Sequence, residues 1–170
     1  MAVSMGLTMR RLARADAEDF RRIRLAALQT APEAFGSTFA VESGRTIEGF
    51  IEGLETSHVV GAYRGSAIVG MIGLRQESGA RMAHKAFIWG FFVEPDERGR
   101  GTGALLVEAA LAAARERVEQ VTLTVVADNT PAIRLYERFG FRRYGTEPRA
   151  LKTPDGYADE ALMALIFERT

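Results

Sequence analysis

Cysteine is absent from all 170 residues. That excludes disulfides, a thiolate nucleophile and thiolate-ligated zinc. Histidine occurs only as His58 and His84, far apart in sequence, so no metal is assigned. Net charge is also missing: 22 basic residues balance 22 acidic ones. No global field therefore draws the chain to nucleic acid or to an anionic membrane, and neither is expected as a partner. No stretch approaches the roughly 20 apolar residues of a membrane span. Met1–Leu12 has neither the apolar core nor the cleavage pattern of a leader. No serine stands in a recognisable nucleophile motif. These absences lead us to expect a cytoplasmic protein forming one domain over residues 1–170.

What is present alternates between strand and helix patterns. Thr8–Leu12 reads as a strand. Asp16–Thr30 reads as an amphipathic helix, capped at Ala15-Asp16 and stopped by Pro32. Glu33–Ser43 reads as a loop and Ile47–Leu54 as a shorter helix. Val59–Tyr63 and Ala67–Leu74 form a hairpin through Arg64-Gly65-Ser66. Gln76–Met82 is polar loop, and Ala86–Val93 is a buried strand on which Phe87, Trp89 and Phe91 share one face. The alanine- and leucine-rich Ala104–Arg117 is helical. Val121–Val126 is a strand by its β-branched content. Ile133–Phe139 is a short helix. Arg142–Pro148 and Glu160–Phe167 are final strands around the loop Thr153–Gly156.

Two segments carry chemistry. Arg98-Gly99-Arg100-Gly101-Thr102-Gly103 joins a strand to a helix start, where unpaired N–H groups and the helix dipole favour an anion. A Walker loop requires Gly-Lys-Ser/Thr, but Gly103 is followed by Ala104-Leu105. A dinucleotide fingerprint is met only as a variant, with Ala104 at its third glycine and no opening β-α unit to hold it. The pattern Arg/Gln-x-x-Gly-x-Gly/Ala is met in full. Taken alone, the hexapeptide also reads as a glycine-rich turn with solvated arginines. Downstream, Asn129, Ala132, Tyr136 and Gly140-Phe141 form Asn-x-x-Ala-x-x-x-Tyr-x-x-x-Gly-Phe. Asn129 or Thr130 caps that helix, Pro131 suits its first turn and Gly140 its end. Ala132 and Tyr136 share a face.

With both motifs in this order, the chain resembles the GNAT superfamily of N-acetyltransferases over nearly its whole length. The resemblance implies a mixed α/β fold: a strongly twisted mixed sheet flanked by about four helices, in the order β-α-α-β-β-β-α-β-α-β-β. It implies acetyl-CoA as co-substrate, with Arg98, Gly99, Arg100, Gly101, Thr102 and Gly103 around the pyrophosphate. Phe91, Phe92 and Val93 would offer a strand edge to pantetheine, and a backbone amide there would polarise the thioester carbonyl. Asn129 and Ala132 would complete the cofactor site. Tyr136 matches the family's general acid, donating to the departing thiolate from a phenol that stays protonated at neutral pH.

No base stands where family members carry one, since those positions are Phe87, Trp89 and Thr124. Glu94, His84, Asp128, Asp159 and Glu160 are the candidates, with Glu94 or an ordered-water chain first. The implied reaction is direct acetyl transfer in a ternary complex to a small-molecule or peptide amine. A catalytically silent acyl-CoA-sensing module, or a transferase using another acyl-CoA, is the alternative. A homodimer is a family-level expectation.

Overall fold

This computed structural model describes residues 6–169, so the first five residues of the Met1–Leu12 reading lie outside it. The strands are β1 (Leu7–Arg11), β2 (His58–Arg64), β3 (Ala67–Gln76), β4 (Lys85–Val93), β5 (Gln120–Val126), β6 (Arg142–Thr153) and β7 (Gly156–Ile166). The helices are α1 (Ala17–Thr30), α2 (Phe39–Glu42), α3 (Ile47–Thr56), α4 (Thr102–Arg115) and α5 (Thr130–Arg138). All strands join one mixed sheet in the order β1-β2-β3-β4-β5-β7-β6. The mixed α/β class and the element order agree with the sequence reading, apart from the added α2.

That one-turn helix lies in the stretch read as loop. It forms because the Thr38 side chain accepts the Val41 N–H at 3.3 Å, a cap too local for hydrophobic periodicity to reveal. Asp16 stands at the head of α1, yet its carboxylate turns back to the Ala13 N–H at 2.8 Å and to Arg10 at 2.9 Å. It organises the turn before the helix and does not cap it. β6 runs past Pro148, where the sequence suggested an end. The proline falls in a register irregularity between Glu147 and Leu151, where the missing N–H breaks no ladder bond.

Two apolar clusters cover the two faces of the sheet. On one face, Phe20 and Ile23 of α1 and Phe50 and Leu54 of α3 pack on Val59 and Met71. On the other, Leu106, Val107, Ala110 and Leu111 of α4 pack on Ile72, Val121, Leu123 and Met163. The site depends on how β4 passes between these layers. β4 pairs in parallel with β5 only at Lys85–Phe87 with Gln120–Thr122. Beyond Phe87 the two strands part.

A bulge accompanies the separation. Opposite β3, Met71 faces Phe92 and Gly73 faces Trp89, so Gly90 and Phe91 together oppose Ile72. Gly90 has φ 65°, a left-handed value that costs glycine little and a branched residue much. The inserted residue also inverts the side-chain alternation. Trp89 packs with the α1–α3 cluster, whereas Phe91 packs with the α4 cluster. The expectation that Trp89 and Phe91 share a face is therefore corrected by the bulge between them.

Among the described residues, no helix is long and apolar enough to cross a membrane. The indole of Trp89 lies flat against Gly73, and a Cβ there would overlap its ring atoms. Gly73→Ala is expected to cost about 1–3 kcal/mol of stability through overpacking. Chemical denaturation with tryptophan fluorescence measures this. An unchanged midpoint would mean that the indole is free to move aside.

Candidate active site

The parted strands open a cavity between β4 and β5. Its floor is formed by Phe87–Phe91 of β4 and Thr122–Val126 of β5, with Asn129, Ala132 and Tyr136 of α5 and Glu160 of β7 alongside. A second cavity of about 600 Å³ shares Phe91, Asn129 and Ala132 and reaches the head of α4 through Val93, Arg98, Gly99 and Gly103. An unpaired strand edge thus leads from one cavity toward the glycine turn in the other.

The turn is built as the sequence suggested. Gly101 precedes α4 with φ 84°, and a Cβ on it would meet nothing within 4 Å. Its glycine requirement is therefore conformational, and the space outside it is open. The first helical bond at this end is Leu105 N–H to Gly101 C=O at 3.2 Å. The N–H groups of Thr102, Gly103 and Ala104 precede it and have no helical partner, which leaves them for an anion.

Behind the turn, Glu97 is buried and receives Arg64 Nε at 2.6 Å and Nη2 at 2.9 Å. Hydrogen bonding from Arg64 holds the Glu97 carboxyl below its ordinary pKa, against the opposing effect of burial. The Thr102 hydroxyl donates to the same carboxylate at 3.3 Å. The Thr102 side chain is thus structural, and the residue is buried.

The two loop arginines differ. Arg98 Nε donates to Val93 C=O at 3.1 Å, and its guanidinium stands 5.8 Å from the Phe92 ring centroid. It lines the cavity in company with Glu33, Glu97 and Asp128. Arg100 is exposed, 3.8 Å from Glu97, and does not line that cavity; neither does the side of Gly101 or Thr102. What the turn offers an anion is chiefly backbone.

Asn129 caps α5 through its side-chain oxygen, which accepts the Ala132 N–H at 3.3 Å. The alternative left open between Asn129 and Thr130 is settled by this bond. The Asn129 side chain still borders both cavities. Tyr136 is 4% exposed, its ring 5.8 Å from Phe91 and 5.6 Å from Phe141 by centroids. Burial pushes its phenol above the ordinary pKa, and no hydrogen bond contributes to the shift. The group is a protonated donor at any physiological pH.

The base candidates separate clearly. Glu94 does not line either cavity; its backbone N–H is bound to Val69 C=O at 2.8 Å, and it opens the turn after β4. The first-choice base is therefore not brought to the cleft, because the chain turns outward at Pro95. His84 is exposed at the far end of β4, where its carbonyl takes the Glu119 N–H at 2.8 Å. Asp159 accepts the Arg149 N–H at 2.7 Å, which fixes the β6 irregularity. Asp128 lies at the second cavity.

Only Glu160 of these five borders the β4–β5 cavity that holds Tyr136. It sits opposite Val126 on β5. Burial raises the pKa of its carboxyl; a hydrogen bond with Thr124 opposes this and the nearby Glu147 adds to it. Thr124 is one of the positions noted as lacking a base. A carboxylate from the neighbouring strand is thus hydrogen-bonded to that position.

Sequence reasoning missed Arg24 and Glu42. Arg24 borders the cavity, and its Nε and Nη2 each lie 2.9 Å from a Glu42 oxygen. One signal was available: Arg24 interrupts the apolar stripe Phe20, Ile23, Ala27 at helical spacing, so a charge points toward the core. Among the described residues, no group of three or more metal-ligating side chains is placed to hold a metal ion.

Comparison with known proteins follows the same lines. The chain is 28% identical over 142 residues to a mycothiol acetyltransferase of Brachybacterium faecium, covering 83% of this chain and 42% of that one. It is 29% identical over 101 residues to the L-amino acid N-acetyltransferase AaaT of Escherichia coli, covering 58% of this chain and 62% of the relative. The chain spans less than half the length of the mycothiol acetyltransferases it matches. Its fold is similar to that of yncA from Salmonella typhimurium, a putative acetyltransferase solved with its cofactor acetyl-CoA. The TM-score is 0.84 at 17% identity, over 97% of this chain and 96% of that one. The family model described as "Acetyltransferase (GNAT) family" matches residues 14–141. That span takes in both the glycine turn and the α5 motif, and the chain belongs to the acetyltransferase (GNAT) family.

Proposed function

We propose that this domain transfers an acetyl group from acetyl-CoA to a primary amine, directly within a ternary complex. The observation that carries the reading is the unpaired β4 edge running from the Tyr136 cavity to the free N–H groups of α4. That arrangement suits a molecule with a pyrophosphate at one end and an extended amide-containing arm. The absence of cysteine removes the commonest route through an acyl-enzyme.

Acetyl-CoA supplies its acyl group as a thioester, and the amine nitrogen displaces the thiol to give an amide and free coenzyme A. The chain's own residues do four things. The N–H groups of residues 102–104 hold the pyrophosphate. The edge of Phe91–Val93 pairs with the pantetheine amides as an added strand would. A β4 amide beside the bulge polarises the thioester carbonyl, an interaction that strengthens as charge develops there. Tyr136 donates a hydrogen bond to the sulfur as the C–S bond breaks. Its raised pKa exceeds that of a thiol, so it stabilises the thiolate by donation without giving up its proton early.

Glu160 takes the proton that leaves the amine. An unperturbed alkylammonium has a pKa near 10.4, so deprotonation at pH 7 costs about 4–5 kcal/mol. A carboxyl whose pKa burial has raised is a better base than an exposed one. Bound Thr124 orients it, and ordered water completes the path where contact is indirect.

Three variants test this reading. Gly101→Asp adds bulk and negative charge where the phosphate lies, and should abolish acetyl-CoA binding in calorimetry while the circular dichroism spectrum is kept. Tyr136→Phe should lower kcat by ~10²–10⁴ with nearly unchanged acetyl-CoA affinity; a change under threefold would leave Tyr136 a packing residue. For Glu160, activity should fall as pH drops through a pKa above the ordinary carboxylate range, because the base form is lost there. Glu160→Gln should erase that limb, and its persistence would assign it to another group.

A further inference from the structure

We propose that the acceptor is an amine carrying a carboxylate close to its nitrogen, an α-amino acid being the simplest case, and that Arg24 binds that carboxylate. The inference rests on the acetyl-transfer reading above and specifies its acceptor. It starts from two hydrogen-bond donors that the folded chain leaves unused.

Arg24 Nη1 and Trp89 Nε1 are buried and have no hydrogen-bond partner. An unsatisfied buried donor costs about 1–3 kcal/mol, and more when charged. Both side chains line the β4–β5 cavity and also the neighbouring cavity on the α1–α3 side. The two side chains therefore stand between the cavities, with their unused donors buried behind the walls.

Arg24 is held so that one edge stays free. Glu42 engages Nε and Nη2, both at 2.9 Å, in a side-on fork. The Glu42 carboxyl is buried, which would raise its pKa, but Arg24's hydrogen bonds and charge outweigh this and keep it below the ordinary value. The pair is thus ionised, and its geometry fixes the plane of the guanidinium. Nη1 is the remaining corner. It points to the bulge: a Cβ built on Gly90 would lie 3.6 Å from it.

Glu42 neutralises Arg24 only in part of the local field. Arg45 and Arg75 border the adjoining cavity, against Glu42 and Glu52. With Arg24 and Glu42 paired, the adjoining cavity keeps Arg45 and Arg75 against Glu52, which favours an anion there, while Glu77 and Glu160 border the β4–β5 cavity. The Glu160 carboxylate lies in the other cavity wall, which suits the amine end of the same molecule.

The position of Nη1 also limits the spacing. It lies beside Gly90, in the stretch of β4 that has parted from β5 and where the thioester is proposed to sit. A carboxylate on Nη1 is then only a few ångströms from the reacting amine, as on an α- or β-amino acid. The aromatic walls Phe87 and Trp89 favour an apolar side chain. Phe35 stands over the guanidinium at 5.2 Å. Trp89 Nε1 lies against Gly73, so Nη1 of Arg24 is the donor left for the carboxylate, which reaches it once the side chains covering it shift.

The experiment compares phenylalanine, phenylalaninamide and phenethylamine as acceptors, with acetyl-CoA-dependent thiol release as readout and calorimetric acetyl-CoA binding on the same sample. A charged hydrogen bond predicts kcat/KM for phenylalanine about 10- to 100-fold above both analogues. Arg24→Gln should collapse that ratio toward one. The wild-type ratio needs no variant, so a folding defect in Arg24→Gln does not decide the matter. Equal rates for the three amines, or a preference for phenethylamine, would overturn the proposal while leaving acetyl transfer intact. Absence of acetyl-CoA binding would overturn the underlying reading and this one with it.

Discussion

The site depends on β4 being unable to pair with β5 along its full length. In an ordinary sheet each strand satisfies its neighbour's amides and carbonyls, because buried unpaired backbone is costly. Here pairing stops after Phe87 and Thr122. The bulge at Gly90 follows three residues later, and past Phe87 β4 keeps a backbone edge that β5 does not pair. A ligand with amides of its own would satisfy it. The same bulge inverts the side-chain phase, so that Phe91 turns toward Tyr136 while Trp89 turns toward Arg24. One inserted residue thus sends Phe91 and Trp89 to opposite faces of the sheet.

Around this break the polar groups fall into two kinds. Some are fully committed to the fold. Glu97 ties Arg64 and Thr102 behind the glycine turn, and Asp159 fixes the irregularity in β6. Others are buried or half-buried without full compensation. Tyr136 has a desolvated phenol, Glu160 a carboxyl raised by burial, and Arg24 and Trp89 one idle donor each. Stability alone does not favour the second kind. All four border the β4–β5 cavity, where such costs are repaid when a reactant binds or charge develops.

Much of this was legible in the sequence. The strand, glycine turn and helix at Phe87–Arg115 announce themselves by composition, and the α5 motif by its spacing. Two things were not legible. The bulge has no period of its own; Gly90 reads as one glycine in an apolar run. Among five candidate bases the sequence reading places Glu94 first, with Glu160 one of the rest; the proximity of Glu94 in sequence does not become proximity to the cleft. Glu160 reaches Thr124 from β7, and only strand order shows that β7 lies beside β5. Arg24 was legible as an anomaly, a charge on an apolar stripe, although its partner Glu42 lies in a segment that read as loop.

Amide hydrogen exchange with and without acetyl-CoA tests the central claim most directly, because that claim concerns backbone. The account predicts slowed exchange at residues 91–94 and 99–106 on binding, with the β1–β2 pairing unchanged. Binding that slows exchange elsewhere, and leaves residues 91–94 as they were, would contradict it.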